Sequence, residues 1–403
     1  ATIRRAPDQI QKLFVRKLEV FPPQGTSIKD SFFALQRPVN EQYAGRRYLG
    51  VSAFGRRYTL AMIRVYVAHM AAAQALFDKY DNLADPWMTL AGYFNSIREL
   101  AGTRRLLEDV IKIRLREADQ RGLGKRRIRA LEELTSRKSG TDIPKILERL
   151  ETTFDKAMEI QRAEERRQGQ RPSPVPYDVV LATNMISVGV DIERLGLMVV
   201  AGQPKNTSEY IQASSRVGRS SLGAGFVCTL YNWARPRDLS HYERFEHYHE
   251  TFYKHVEALS VTPFSARALD RGLTGVMVAM LRLQEERMNA NLKAGELQDD
   301  DPLLADIFDK LVKRAQDATH SHATGELMRD MLMKRRDAWL KRVHGQTDHR
   351  VAYQAEGGAT VGLLEHASAK KADMFTLLDS LRDVEGTVDL VLDQRFNGLR
   401  SDN

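Results

Sequence analysis

The sequence predicts an α/β fold: a parallel sheet with flanking helices, followed by an α-rich C-terminal region. Three observations carry this. The apolar runs Tyr177–Ala182 and Leu195–Ala201 are short and rich in Val and Leu. They are bounded by Pro176, a polar loop, Gly202 and Pro204, as strands buried on both faces of a parallel sheet are. Longer stretches with helical periodicity separate such runs, among them the Ala-, Met- and Val-rich Thr59–Ala75. Residues 262–403 are mainly helical in pattern.

The N-terminal part comes first. Ile10, Leu13 and Phe14 have helical spacing, and Phe21-Pro22-Pro23 ends that helix ahead of Asp30-Ser31-Phe32-Phe33. Arg46–Phe54 reads as a strand entering a loop. Arg46, Arg47, Arg56 and Arg57 cluster at its ends, where they are candidates for facing phosphate. Thr59–Ala75 is a helix packed on both sides.

Asp85–Asn95 contains the strand MTLAGYFNS, and a helix from Ile97 to about Arg116 follows, with an apolar stripe at Leu100, Leu106, Leu107 and Val110. In an open α/β sheet, ligands bind beyond the carboxyl ends of the strands. Asn95 and Ser96 fall there, as do Thr183 and Asn184. Thr135, Ser136 and Arg137 also follow a strand end. Hydroxyls beside an Arg suit sequence-blind phosphate contacts, and a capped turn before the helix Asp142–Arg167 explains them equally well. Glu164–Pro176 reads as a solvated helix end and a loop.

Gly225–Trp233 is the last strand of this part, with Cys228 as a small core residue. Asp238–Leu259 is a helix with an aromatic stripe and four histidines. No two of these have the i,i+4 spacing of helical zinc ligands, so packing is the leading account, ahead of base stacking. Further helices are expected from Thr262 through Arg282, over Leu303–Ala318 and over Thr324–Val343. The last carries Arg329, Lys334, Arg335, Arg336, Lys341 and Arg342, a solvated basic face or a lining for a nucleic-acid strand. Gln346–Lys371 reads as an irregular loop and Thr387–Leu392 as a terminal strand.

The chain has 403 residues, enough for two or three domains, with 42% hydrophobic and 28% charged residues, an ordinary globular balance. No apolar run approaches the ~20 residues that span a bilayer, and no secretory signal opens the chain, so no membrane partner is expected. A single cysteine, Cys228, excludes an intramolecular disulfide and a multi-Cys zinc site and suits a cytoplasmic location. The net charge of +8 favours a polyanionic partner, nucleic acid first. The first residue is Ala, so a fragment or a processed chain is expected.

The sharpest pattern is Gln212-x-x-x-Arg216-x-Gly218-Arg219. A helix capped by Thr207 or Ser208 is expected to carry it, which sets two arginines three apart on one face. Guanidinium forks meet phosphate oxygens bidentately, and the nearby Asp191 can accept from a sugar hydroxyl. Two arginines alone more often mark a solvated basic face. Their context, strand, loop, strand and helix, favours a nucleotide site.

That context resembles the second RecA-like domain of superfamily 2 helicases. Ala182-Thr183-Asn184 with Gly189-x-Asp191 resembles helicase motif V, and Tyr210-Ile211-Gln212 with Arg216, Gly218 and Arg219 resembles motif VI. Ser215 stands where the family commonly has Gly. Phe94-Asn95-Ser96 resembles motif IV, and Ala1-Thr2 the tail of motif III. The resemblance covers residues 85–235 firmly and the flanks loosely. It implies that residues 1–84 are the tail of a first RecA-like domain and a linker, 85–235 the second RecA-like domain, and 236–403 an α-rich accessory region. The flanks, Leu381-Arg382-Asp383-Val384 included, are similar to the helicases of DISARM anti-phage defence systems.

The resemblance implies a site residue by residue. Arg216 and Arg219 are arginine fingers for the γ-phosphate of ATP. Gly189, Asp191 and Gln212 serve the nucleotide, and Asn95, Ser96, Thr135, Arg137, Thr183 and Asn184 grip the nucleic-acid backbone. The cofactor is ATP with Mg²⁺. The partners are DNA, as a single strand or duplex end, a first RecA-like domain, and the other subunits of a defence complex. The sequence contains no G-x-x-x-x-G-K-[ST] loop and no D-E-x-x box, which hold the phosphates and the Mg²⁺. ATP hydrolysis is therefore expected only with a P-loop-bearing first domain, from a preceding segment or a separate chain. The rival readings are a non-catalytic nucleic-acid-binding or scaffold protein with a helicase-like half, and a nucleotide-binding domain unrelated to nucleic acid.

Overall fold

A computed structural model describes residues 4–21, 38–40, 44–138, 141–170, 172–187, 191–220, 223–258, 260–346, 350–366 and 373–377. Ala1-Thr2, Asp30–Phe33, Gly189, Leu381–Val384 and Thr387–Leu392 lie outside them. The chain divides into two compact units. One is built from residues between Val20 and Ala258, the other from residues between Arg5 and Glu19 and beyond Ala258.

In chain order the elements begin with α1 (Ala6–Phe14), β1 (Arg46–Ser52), α2 (Tyr58–Tyr80), α3 (Asp85–Met88) and β2 (Leu90–Phe94). A π-turn joins α4 (Ile97–Leu106) to α5 (Lys112–Arg116), and β3 (Leu131–Leu134), α6 (Asp142–Leu150) and α7 (Lys156–Arg167) follow. Next come β4 (Val179–Ala182), β5 (Leu197–Ala201), α8 (Thr207–Ser214), β6 (Gly225–Tyr231), α9 (Pro236–Glu243) and α10 (Phe245–Thr251). The remaining helices are α11 (Ala266–Gln284), α12 (Pro302–Thr319) and α13 (His322–His344). The short strands β7 (Arg350–Ala352), β8 (Thr360–Gly362), β9 (Glu365–His366) and β10 (Thr376–Leu377) complete the set.

The first unit is one six-stranded parallel sheet in the order β1-β6-β5-β2-β4-β3, with helices on both faces. This is the parallel α/β sheet with flanking helices that the sequence predicts. β2, β4 and β5 are buried along their whole length, as their unbroken apolar runs require. One difference concerns the boundary expected near residue 85. β1 pairs with β6 from Arg46 opposite Gly225 to Ser52 opposite Tyr231, so Arg46–Ser52 belongs to this sheet, and α2 packs in the same core. The compact unit also runs past residue 235 to Ala258.

A second difference concerns apolar length. Tyr58–Met88 is long and apolar enough to cross a bilayer, and half of that window is buried inside the protein. Met62, Tyr66, Met70 and Ala71 of α2 are part of the core around Leu90, Val179 and Val199.

Two expected helices are broken. Asp142–Arg167 splits because Phe154 is buried beside Phe77, its N–H donates 2.6 Å to Asp85, and Asp155 starts α7 by accepting from Ala157 and Met158. Asp238–Leu259 splits at Arg244. At the N-terminal end of the sheet, Asp178 accepts from Arg126 Nη2 (2.9 Å) and from the N–H groups of Arg129 and Ala130. Both side chains of this ion pair are almost wholly buried.

The second unit packs α11, α12 and α13 around Leu273, Met277, Ile307, Leu332 and Trp339. Gln346–Lys371 is not irregular throughout, since β7 and β8 pair in parallel within it. Most of the basic residues expected on one face of α13 are paired within the protein. Arg329 pairs with Asp309, Lys334 with Asp330, Arg336 with Asp337 and Arg342 with Asp373, while Arg335 is buried on Thr274 and the Asp270 carbonyl.

Candidate functional site

Asn95, Ser96, Thr135, Arg137, Thr183 and Asn184 lie just beyond the C-terminal ends of strands, whereas Arg216 and Arg219 lie at the other end of the sheet, where β1, β5 and β6 begin. Asn95 and Ser96 follow β2, Thr135 and Arg137 follow β3, and Thr183 and Asn184 follow β4. β2 and β3 both flank β4 in the sheet, so these three pairs lie side by side. Gln212 is on α8, after β5. The three strand-end pairs mark the end of an open parallel sheet where ligands bind. A cavity of about 900 Å³ lies at the opposite end, walled by Ala68, Ala72, Leu76, Trp87 and Phe226. It is mainly apolar and holds none of these residues.

Arg216 and Arg219 are not on a helix. α8 ends at Ser214, and the chain turns through Ser215–Gly218. Gly218 takes φ +68°, and its N–H donates 2.7 Å to the Leu195 carbonyl, which draws the chain back across the start of β5. A Cβ on Gly218 would lie 2.4 Å from the Gly225 Cα, so two glycines are needed where the turn crosses β6. The helix-face geometry expected of the two arginines is thus replaced by a glycine-dependent turn.

The turn brings Arg216, Arg219 and Asp191 together. Arg219 donates through Nη1 to Asp191 and through Nε to the Ser215 carbonyl at 3.1 Å. Burial and then the Arg219 charge push the Arg216 guanidinium below its ordinary range, and Asp191 opposes them. Asp191, expected on a ribose, is therefore paired with one of the expected fingers. That pair is open to solvent, with 32% and 76% of its side chains exposed.

The nucleic-acid candidates divide. Thr183 is half-buried, and Asn184 and Arg137 are exposed. Asn95 differs from expectation: its amide donates 3.1 Å to the Ala201 carbonyl, with Gly202 and Gln203 at 3.5 and 3.4 Å, so it ties β2 to the end of β5. Ser96 caps α4 by accepting from the Glu99 N–H at 3.3 Å. Thr135 is fully buried, which removes it from a backbone grip. Gln212 is exposed on α8.

Several residues that shape the site were not singled out from the sequence. Thr207 begins α8 without capping it. Glu257 does so, accepting from the Thr207 N–H at 2.8 and 2.9 Å and from its hydroxyl at 3.0 Å. A one-way chain of hydrogen bonds ends there, from Tyr231 to Gln203, Gln203 to Tyr248, Tyr248 to Thr207 and Thr207 to Glu257. Asp238, fully buried, accepts from the N–H groups of Gln203 and Asn232 and so fixes the ends of β5 and β6. These contacts join residues tens of positions apart, and no local spacing signals them.

The histidines serve packing. His249 Nδ1 faces the Phe245 carbonyl at 2.7 Å and so donates, leaving Nε2 to accept from the Tyr210 hydroxyl at 2.9 Å. Burial lowers its pKa, as it does for His69 and His241. Among the described residues no three His, Cys, Asp or Glu side chains are grouped to hold a metal ion. The donor set suits anionic phosphate on one side only, two guanidinium groups and a carboxylate without a phosphate cradle or Mg²⁺ ligands.

Comparison with known proteins adds independent findings. Residues 126–221 match the family described as the helicase conserved C-terminal domain. The DISARM protein DrmA of Bacillus paralicheniformis (strain ATCC 9945a / NCIMB 11709 / CD-2) is 40% identical over 409 residues, 98% of this chain. The chain spans 34% of that relative's length. Among solved structures, the DUF1998 helicase MrfA bound to DNA and AMPPNP is similar with a TM-score of 0.35 and 14% identity, over 56% of this chain and 25% of that one. The helicase Lhr of Mycobacterium smegmatis, bound to ssDNA and AMP-PNP, gives 0.35 and 12%, over 76% of this chain and 30% of that one.

Proposed function

We propose that this chain, whose residues 126–221 match the helicase conserved C-terminal domain, is the second RecA-like half and accessory region of an ATP-dependent DNA helicase or translocase acting in anti-phage defence. The observation that carries the reading is the turn that presents Arg216 and Arg219 beside Asp191, at the end of the sheet where β5 and β6 begin. Its defence role is supported by the 40% identity to a DISARM protein.

In this reading the nucleotide lies against a first RecA-like domain outside this chain, which holds the phosphates and Mg²⁺. Bound ATP supplies the free energy for movement. Arg216 and Arg219 face the γ-phosphate and stabilise the negative charge that grows there as the bond breaks. Arg219 exchanges Asp191 for phosphate on closure, which costs little because the pair is solvent-exposed. Asp191 is then free to accept from a ribose hydroxyl, with Gln212 and Gly189 beside the nucleotide. Thr183, Asn184 and Arg137 grip strand phosphates, while Asn95 and Ser96 hold the ends of β2 and α4 in place. Opening and closing of the cleft moves this grip relative to that of the first domain.

The test is ATP hydrolysis by the complete protein, with and without single-stranded DNA. DNA-stimulated hydrolysis that falls by about a hundredfold in Arg216→Ala supports the reading. Tight DNA binding without any hydrolysis in the complete protein would leave the scaffold role in its place.

A further inference from the structure

We propose that Arg46, at the start of the edge strand β1, is the positioning residue that aims Arg216 and Arg219. It lies 170 positions before Arg216, and its guanidinium reaches the turn that displays the two arginines. Nε donates 2.9 Å to the Val217 carbonyl and Nη2 donates 3.5 Å to the Ser215 carbonyl. Arg219 Nε donates to that same Ser215 carbonyl, so both arginines are tied to one peptide oxygen.

The path between them is open because Gly225 stands opposite Arg46 in the β1–β6 register. A Cβ on Gly225 would lie 3.2 Å from Arg46 Cγ, 3.1 Å from the Val217 carbonyl and 2.8 Å from the Gly218 Cα. The Gly225 N–H donates 3.0 Å to the Gly45 carbonyl, which seats the start of β1 against β6. One fork thus bridges two carbonyls of a turn whose backbone N–H groups donate from Ser215 to Ile211, Arg216 to Ala213, Val217 to Ser214 and Gly218 to Leu195, the third of these long at 3.5 Å. A single misplaced ångström in such a group is enough to lower a rate.

The inference rests on the reading of Arg216 and Arg219 as phosphate-facing. It is tested in the complete protein with ATP and saturating single-stranded DNA, comparing Arg46→Ala, Arg46→Lys, Arg219→Ala and the Arg46→Ala/Arg219→Ala double variant. Arg46→Ala is expected to lower kcat about tenfold with the KM for ATP nearly unchanged. Arg46→Lys, whose ammonium reaches one carbonyl, recovers part of the loss. In the Arg219→Ala background, Arg46→Ala costs less than in the parent, because the two act as a unit. An equal or larger cost in that background, or a kcat for Arg46→Ala within about twofold of the parent, overturns the inference.

If Arg219→Ala hydrolyses ATP at the parent's rate, the phosphate-facing reading fails separately. Amide hydrogen exchange then judges Arg46 alone: Arg46→Ala, or Arg46→Lys should the alanine variant not fold, raises exchange at Val217 and Gly218 while β2 and β4 keep their protection. Unchanged exchange at the turn overturns the assignment.

Discussion

Arg219→Ala separates the proposed catalytic role of this side chain from its part in stability, and the exposure of its ion pair bounds the second. In the folded chain the Arg219 side chain has two partners, the Asp191 carboxylate and the Ser215 carbonyl. With 32% of Arg219 and 76% of Asp191 exposed, the ion pair is screened by water and contributes at most about 1 kcal/mol. A loss of that size moves the melting midpoint of a domain this large by no more than about 4 °C. The same guanidinium, directed at transition-state charge in a closed and water-poor cleft, contributes about 2.7–4 kcal/mol, or two to three powers of ten in kcat. Steady-state ATPase and thermal unfolding on one preparation of the complete protein measure both. DNA affinity at fixed salt is expected to stay within about twofold, because in the proposed reading Arg219 faces the nucleotide and not a strand phosphate, so the salt slope loses no phosphate. A kcat within about threefold of the parent, or a fall in DNA affinity matching the fall in rate, would refute the reasoning. Arg219→Lys, which keeps the charge and loses the fork, falls between the two.

Asp178→Ala leaves Arg126 buried without its carboxylate and strips two backbone donors of their acceptor, so urea unfolding is expected to show a loss of about 3–5 kcal/mol; a loss under about 1 kcal/mol contradicts it. Gly218→Ala meets the Gly225 backbone at 2.4 Å in a left-handed turn and is expected to cost at least about 2 kcal/mol and most of the ATPase, as read by unfolding and kinetics together. His69, His241 and His249 have pKa values lowered by burial, so below about 6.5 the unfolded chain takes up protons that the folded chain refuses. Their contribution is complete above that pH and is lost as pH falls through the lowered values, by at most about 1.4 kcal/mol per pH unit for each imidazole. Unfolding midpoints that do not fall between pH 7.5 and 5.5 would contradict this.

The strands of the first unit were legible because they are apolar on both faces and end at breakers. Val179–Ala182 and Leu197–Ala201 lie within the runs read as strands, and α8 begins at Thr207, with Asn206 in the cap position expected for Thr207 or Ser208. The broken helices were not legible, since what splits Asp142–Arg167 is the burial of Phe154 against a helix some eighty residues earlier. The membership of β1 was hidden for a related reason. A half-exposed edge strand lacks the continuous apolar run that marks β4 and β5, and only its pairing with β6 shows where it belongs. Local spacing singled out Arg216, Arg219 and Asp191, which the structure brings together, but placed the arginines on a helix. It also misread Asn95 and Thr135, because it saw where they lie along a strand and not what their polar atoms meet.

The turn at Ser215–Gly218 explains why a site of this kind gains by leaving the helix. On a helix face, arginines three apart are held by the same ladder that holds the backbone, and both would have to move together. Here the two demands are met by different atoms. The backbone is fixed by Gly218 on Leu195, by the Gly218–Gly225 contact and by Arg46 on two carbonyls. The Arg219 side chain is held mainly by an exposed carboxylate, a partner weak enough to be exchanged for phosphate. A buried partner in place of Asp191 would hold Arg219 too strongly to release it, and a turn without Gly218 and Arg46 would leave it unaimed. The positions most sensitive to substitution in this region should therefore be the uncharged Gly218 and Gly225, with Asp191 more tolerant than either.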